Sequence, residues 1–290
     1  MPKRFLPALL LAFLIAAPFC VAQDSPAADP ASDPPAAAPS SGSAESLQSN
    51  PRPAAPPSEW QILGSQWKRT APDLLRQQKE IWLFPLSVAR GRHWKPTLAV
   101  IGATALLTTI DAHNARWVRN NTQPLSGFNN AFSGFNTATA TEAFASAFYI
   151  VAIARHNAYD QQTFILAGEA VLDSEILTTV MKDIDRREAP ISYPPGGSFT
   201  DSWFKVRHGG LLSGLGSMPS GHEIAAMSVA TIFAERYPHP AWHRWLAYGL
   251  ASLVGVSRVT LQAHFTSDTF AGAALGYVIS RYVVLGRPPI

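Results

Sequence analysis

Residues 219–236 read PSGHEIAAMSVATIFAER, and this stretch decides the fold. Pro219 breaks whatever precedes it, and Ser220 fits an N-cap. From Gly221 onward, apolar and small residues occupy almost every face of a helix. A helix apolar all round belongs in a core or a bilayer, not at a surface. The segments about 242–257 and 268–285 have the same character. Three such helices in succession can bury themselves only against one another and against further helices. The expected fold is therefore an all-α helical bundle.

Working outward, helical periodicity predicts further helices at about 72–90, 96–115, 138–155 and 162–182, giving about six to seven in all. Alternating strand-like runs are missing. The connections near 120–137 and 186–218 are rich in Gly, Asn, Pro and Ser. Ser126-Gly127-Phe128-Asn129 returns as Ser133-Gly134-Phe135-Asn136, which reads as two similar turns rather than a repeat architecture.

The chain divides into three parts. Residues 1–22 read as a signal peptide: Lys3 and Arg4 supply the charged start, and Phe5–Phe19 the apolar stretch. Residues 23–57 are Ala, Pro, Ser and Asp, which cannot bury enough apolar surface to offset ordering entropy; they read as a disordered linker. Residues 58–290 form one domain. Cys20 is the sole cysteine, so a cut after Ala22 leaves neither a thiol nucleophile nor a disulfide. Net charge is +3 with no basic run, which argues against nucleic acid as a partner.

Core or bilayer is a separate question. No uninterrupted apolar run reaches the roughly 18 residues of a spanning helix. Glu142, Glu169, Asp173 and Glu175 fall inside expected helices, where a bilayer penalises them. A periplasmic or secreted domain is favoured; an integral inner-membrane protein with an outward-facing site stays open, as does contact with a membrane surface. Oligomeric state is not legible.

Two strings carry chemistry. In Pro219-Ser220-Gly221-His222, the free N–H groups and positive end of the helix suit an anion. Gly221 lets a ligand approach the backbone, and His222 stands in the first turn. In Ser257-Arg258-(five residues)-His264-(three residues)-Asp268, Arg258 offers a fork of donors. His264 can act as a nucleophile if a carboxylate such as Asp268 orients it. Antiparallel packing of the last four long helices brings Lys182, His222, Arg258, His264 and Asp268 to one end.

Lys182, Pro219-Ser220-Gly221-His222 and Ser257-Arg258-x5-His264-x3-Asp268 together resemble the three-part signature of the type 2 phosphatidic acid phosphatase (PAP2) superfamily, which includes bacterial acid phosphatases and vanadium haloperoxidases. The resemblance implies a bundle of that type. It implies an exported phosphatase acting on a lipid phosphate or a small phosphate ester, with no metal and no cofactor. His264 would become a phosphohistidine, Asp268 would orient it, and His222 would serve as acid and then base. Lys182, Arg258, Ser220 and the Gly221 N–H would hold the phosphoryl oxygens. A haloperoxidase and a non-enzymatic phosphate binder are the competing readings.

One departure stands out. The family pattern runs Lys, six residues, Arg-Pro, whereas Lys182 is followed after six residues by Ala189-Pro190. Arg187 lies two positions earlier, and in extended backbone it faces the same side, so it is expected to fill the missing place. Arg207 and His208 are weaker substitutes. Segment 191–218 is expected to cover the site, with Tyr193, Phe199, Trp203 and Phe204 anchoring it or touching a lipid tail.

Overall fold

The computed structural model describes residues 59–286 apart from His208 and Leu211. The expected signal peptide and linker lie outside the described residues. Within them the chain is all-α: α1 (Glu59–Ala89), α2 (Trp94–Asn120), α3 (Ser126–Ala131), α4 (Gly134–Ala154), α5 (Ala158–Asp185), α6 (Gly221–Arg236), α7 (Trp242–Thr260) and α8 (Thr266–Val278). A π turn, Ile279–Val284, extends α8. The count exceeds the expected six to seven because the 120–137 connection contains the short helix α3.

Helix α6 has the expected bounds. Helix α1 starts well before residue 72, running through Pro72. Its added turns gain a tertiary partner: Trp67 packs edge-on against Tyr149 and donates its indole N–H to the Tyr149 hydroxyl at 2.9 Å. That support offsets the backbone bond Pro72 cannot make.

Helix α6 is the axis of the bundle. From Glu223 to Ala234 all but Met227 are buried. Ile224, Val229, Ile232 and Phe233 join Ala167 and Ala170 of α5 and Ile279 and Val284 of the π turn in the main core. On another face Ala226, Ala230 and Ala234 meet Ala247, Ala251 and Val254 of α7. Small residues permit this close approach. A Cβ at Gly272 of α8 would stand 2.8 Å from the Ser220 carbonyl, and one at Gly276 would overlap the Ile224 carbonyl. Backbone therefore rides on backbone where α8 crosses α6.

The outer helices are different. On α2, Trp94, Leu98, Ile101 and Leu106 are 47–69% exposed, and on α1 so are Trp82 and Leu86 at 44% and 53%. Among the described residues, no helix is long and apolar enough to cross a membrane.

Candidate active site

Helix α5 ends at one pole of the bundle, where α6 begins, α7 ends and α8 begins. Each motif residue thus reaches the same place from a helix terminus. A Cβ on Gly221 would lie 3.7 Å from Lys182 Nζ, so the ammonium sits directly over the α6 N-terminus. Main-chain pairing joins the starts of α6 and α8: Ser220 N–H donates to the Asp268 carbonyl at 3.0 Å.

His264 is placed by a tight turn. Gln262 takes a left-handed conformation (φ 56°), and the N–H groups of Ala263 and His264 both donate to the Arg258 carbonyl, at 3.0 and 3.2 Å. The chain folds back over the last turn of α7 and aims the imidazole inward, where it is 8% exposed.

The orientation of that ring differs from expectation. His264 Nδ1 lies 2.6 Å from the Ser217 carbonyl, whereas Asp268 Oδ2 is 3.9 Å away. A carbonyl only accepts, so Nδ1 carries the proton and Nε2 presents its lone pair. The main chain fixes the tautomer. Asp268 acts one step back: its Oδ2 accepts from Ser217 Oγ at 3.0 Å and from Phe265 N–H at 2.9 Å, bracing both segments around the ring.

Ser220 occupies the N-cap position of α6, but its side chain caps nothing; its Oγ is buried and has no hydrogen-bond partner. Nor does Lys182 Nζ or Arg258 Nη1 have one among the described residues. Arg258 is no surface charge: it is 3% exposed, its Nε donates to Ser257 Oγ at 3.0 Å, and its Nη2 to the Phe132 carbonyl. Lys182, Ser220 and Arg258 therefore bring unused donors to the start of α6, whose first-turn N–H groups are also unpaired within the helix.

Electrostatics follow from burial. Burial, then Arg258 and Lys182, lower the His222 pKa to about 3. Burial, then Lys182 and His222, push His264 well below the ordinary imidazole value. Burial also lowers Lys182, against the pull of Glu175, Asp268 and Asp185. Both rings are neutral, and Lys182 and Arg258 give the pocket a field that suits an anion.

Arg187 is the main correction. It does not face this pocket. It is 1% exposed, and its fork is engaged at every nitrogen: Nε with Ser202 Oγ at 3.0 Å, Nη1 with Ser267 Oγ at 2.7 Å and Asp268 Oδ1 at 2.5 Å, and Nη2 with Asp111 Oδ2 at 2.7 Å. Trp203 and Phe265 sandwich it, 4.5 and 4.2 Å from its guanidinium carbon. The cause is local. Arg186 ends α5 in a left-handed conformation (φ 45°), so the chain swings inward before the extended run begins.

Asp111, Ser217, Ser267 and Glu223 were not expected at the site. Glu223 directly follows His222; it is buried beside Arg258, and desolvation raises its pKa well above normal. Segment 191–218 anchors as expected through Phe199, buried with Ala115 and Phe265, and through Trp203, whereas Phe204 is 69% exposed. Beside the site, an apolar groove of about 470 Å³ runs between α2 and α8, lined by Ile101, Thr104, Met181, Trp203, Met218 and Leu275 among others.

Residues 163–288 match the sequence profile of the PAP2 superfamily. A 64-residue stretch is 38% identical to a lipid A 1-phosphatase of Porphyromonas gingivalis; it covers 22% of this chain and 14% of that protein, so the match spans about a seventh of the relative's length. Among solved structures, a transmembrane PAP2-type phosphatidylglycerolphosphate phosphatase from Bacillus subtilis aligns with a TM-score of 0.39 at 21% identity, over 72% of this chain and 94% of that one.

Proposed function

We propose that this chain, whose residues 163–288 match the PAP2 superfamily profile, is a phosphatase of that superfamily, cleaving the phosphate ester or diphosphate of an amphiphilic substrate through a phosphohistidine on His264. The observation that carries the reading is the convergence of Lys182 Nζ, Ser220 Oγ and Arg258 Nη1, which have no hydrogen-bond partner among the described residues, around a histidine whose Nδ1 is tied to the Ser217 carbonyl.

In the first step His264 Nε2 attacks phosphorus while the bond to the leaving oxygen breaks. His222 delivers a proton to that oxygen, and the alcohol departs. In the second step His222 takes a proton from water, the hydroxide attacks phosphohistidine, and inorganic phosphate leaves. Free His222 is neutral at neutral pH. A dianionic phosphate beside it raises its proton affinity, so substrate binding itself arms the acid. Lys182, Arg258, Ser220 and the α6 N–H groups stabilise charge on the phosphoryl oxygens. The chemistry runs without a metal.

The apolar groove supports a substrate with a hydrocarbon chain. Met181 adjoins Lys182, and Met218 adjoins Pro219, so a chain lying in the groove begins where the phosphate is held. Exposed Trp94, Leu98 and Ile101 on the same α2 suit a lipid surface. The N-terminal pattern of Lys3, Arg4 and the apolar Phe5–Phe19 stretch supports export.

Phosphate release from long-chain lipid phosphates, short-chain analogues and soluble phosphomonoesters, with chelator present, tests this reading. Activity is expected to rank long-chain above soluble substrates, to survive chelation, and to fall at least about a thousandfold in His264→Ala. Full activity in His264→Ala ends the mechanism; loss on chelation ends the metal-free form. A second reading, a phosphate binder without turnover, draws on Ala189 and on the engagement of Arg187 elsewhere. It predicts tight phosphate binding with no release from any substrate.

A further inference from the structure

We propose that Asp111 and Arg187 form a positioning pair that fixes the nucleophile through Asp268, so that the arginine of this region holds the catalytic geometry instead of the phosphate. This rests on the phosphatase reading and adds to it a residue from α2, outside the matched region.

Three observations converge. Arg187 bonds Asp268 at one prong of its fork and Asp111 at the other. Asp111, 2% exposed, accepts the Ser267 N–H at 3.0 Å through Oδ1, and the Ser267 hydroxyl through Oδ2. It therefore pins the first turn of α8 directly as well as through the arginine. Arg187 also acts through its backbone: its carbonyl accepts the N–H of Ser217 at 2.8 Å, and the Ser217 carbonyl is what holds His264 Nδ1. Both supports of the imidazole, the Ser217 main chain and the Asp268 carboxylate, are thus attached to one residue.

The charges make sense of the pairing. Two buried carboxylates near each other repel, and one guanidinium between them offsets that repulsion. With every Arg187 nitrogen engaged, moving the fork to a phosphate would leave Asp111 and Asp268 buried without a counter-charge. The arrangement is a brace, and the phosphate is left to Lys182, Arg258 and the α6 terminus.

Asp111→Asn and Arg187→Lys test it in the full-length protein. Asn keeps the size but loses the charge and an acceptor; Lys keeps the charge but cannot span two carboxylates. Ser267→Ala, which removes one contact to each partner, is the milder variant should either fail to fold. Three quantities are read: kcat and KM, affinity for inorganic phosphate by calorimetry, and the His264 tautomer from ¹⁵N-histidine spectra. Expected are a fall in kcat of about 10–100-fold for the first two and less for the third, from misplacement of the nucleophile. KM and phosphate affinity stay within about twofold, and the spectra change from a single Nδ1–H tautomer to a mixture. Phosphate affinity falling in step with kcat in Arg187→Lys would overturn the proposal, since Arg187 would then be a phosphate ligand. Unchanged kcat and unchanged spectra in folded variants would overturn it equally. If the wild type releases no phosphate from any substrate, the phosphatase reading fails by itself, and the histidine spectra alone decide the positioning.

Discussion

Arg258 and Arg187 are buried alike, at 3% and 1% exposure. Their surroundings are opposite. Arg187 is sandwiched by two aromatic rings, and each of its three nitrogens is bonded to serine or aspartate. Arg258 spends Nε on the adjacent serine and Nη2 on a carbonyl, faces a Glu223 whose carboxyl is held toward its neutral form, and keeps Nη1 free of any hydrogen bond among the described residues. Residue type and burial do not separate holding from acting; unspent hydrogen-bonding capacity does.

That contrast can be broken most forcefully at Arg187. Arg187→Ala strands two buried carboxylates and is expected to cost about 3–5 kcal/mol of stability, read from denaturant unfolding. Arg258→Ala is expected to do the reverse. Its phosphatase kcat/KM falls about 100–1000-fold, while the unfolding midpoint moves less than in Arg187→Ala. If the two substitutions gave the same profile, the distinction between the arginines would be empty.

Gly221→Ala gives a finer probe. The new methyl meets Lys182 Nζ, Glu175 Oε1 and Thr178 Cγ2 at ordinary contact distance, 3.7 Å each, so the helix accepts it. It occupies the approach of an anion to the α6 backbone, and inhibition by inorganic phosphate should weaken about tenfold with the melting temperature unchanged.

Acidity reads the same pocket through His222. Its folded pKa of about 3 lies below the ordinary 6.5, so protons favour the unfolded chain. Above pH 6.5 the group contributes nothing; as pH falls from 6.5 toward 3, stability declines by on the order of a few kcal/mol. Saturating phosphate supplies the missing negative charge and should flatten that decline in melting curves. The smallest effect belongs to Glu223→Gln. Burial raises the Glu223 pKa and so favours the neutral carboxyl, which resembles an amide, so activity should change by less than about threefold.

How much of this was legible beforehand varies by residue, for physical reasons. Helix α6 has its expected ends because a Ser-Gly start and an unbroken small apolar face leave one solution. Lys182, His222, Arg258 and His264 gather because helix polarity alone sends their termini to one pole. The direction of Arg187 is not legible in the sequence: it depends on the left-handed Arg186, which turns the chain before the extended run begins. The partner that fixes the His264 tautomer is a main-chain carbonyl, which any residue at 217 supplies, so no side chain announces it. Asp111 lies more than 70 residues from Arg187 in a different helix, and a carboxylate in an apolar helix has no spacing rule to expose it.

The crossing of α8 over α6 has a consequence for which substrates such a pocket can accommodate. With Gly272 and Gly276 seated on the carbonyls of Ser220 and Ile224, the two helices mesh like a rack and its pinion, and a shift of even one methyl's width is blocked. His222 rides on one helix and Asp268 on the other, so the gauge between them is machined into the backbone. On the proposed phosphatase reading, variation in what is cleaved must therefore come from the rim, where α2 and the 191–218 segment can be recut without altering the gauge.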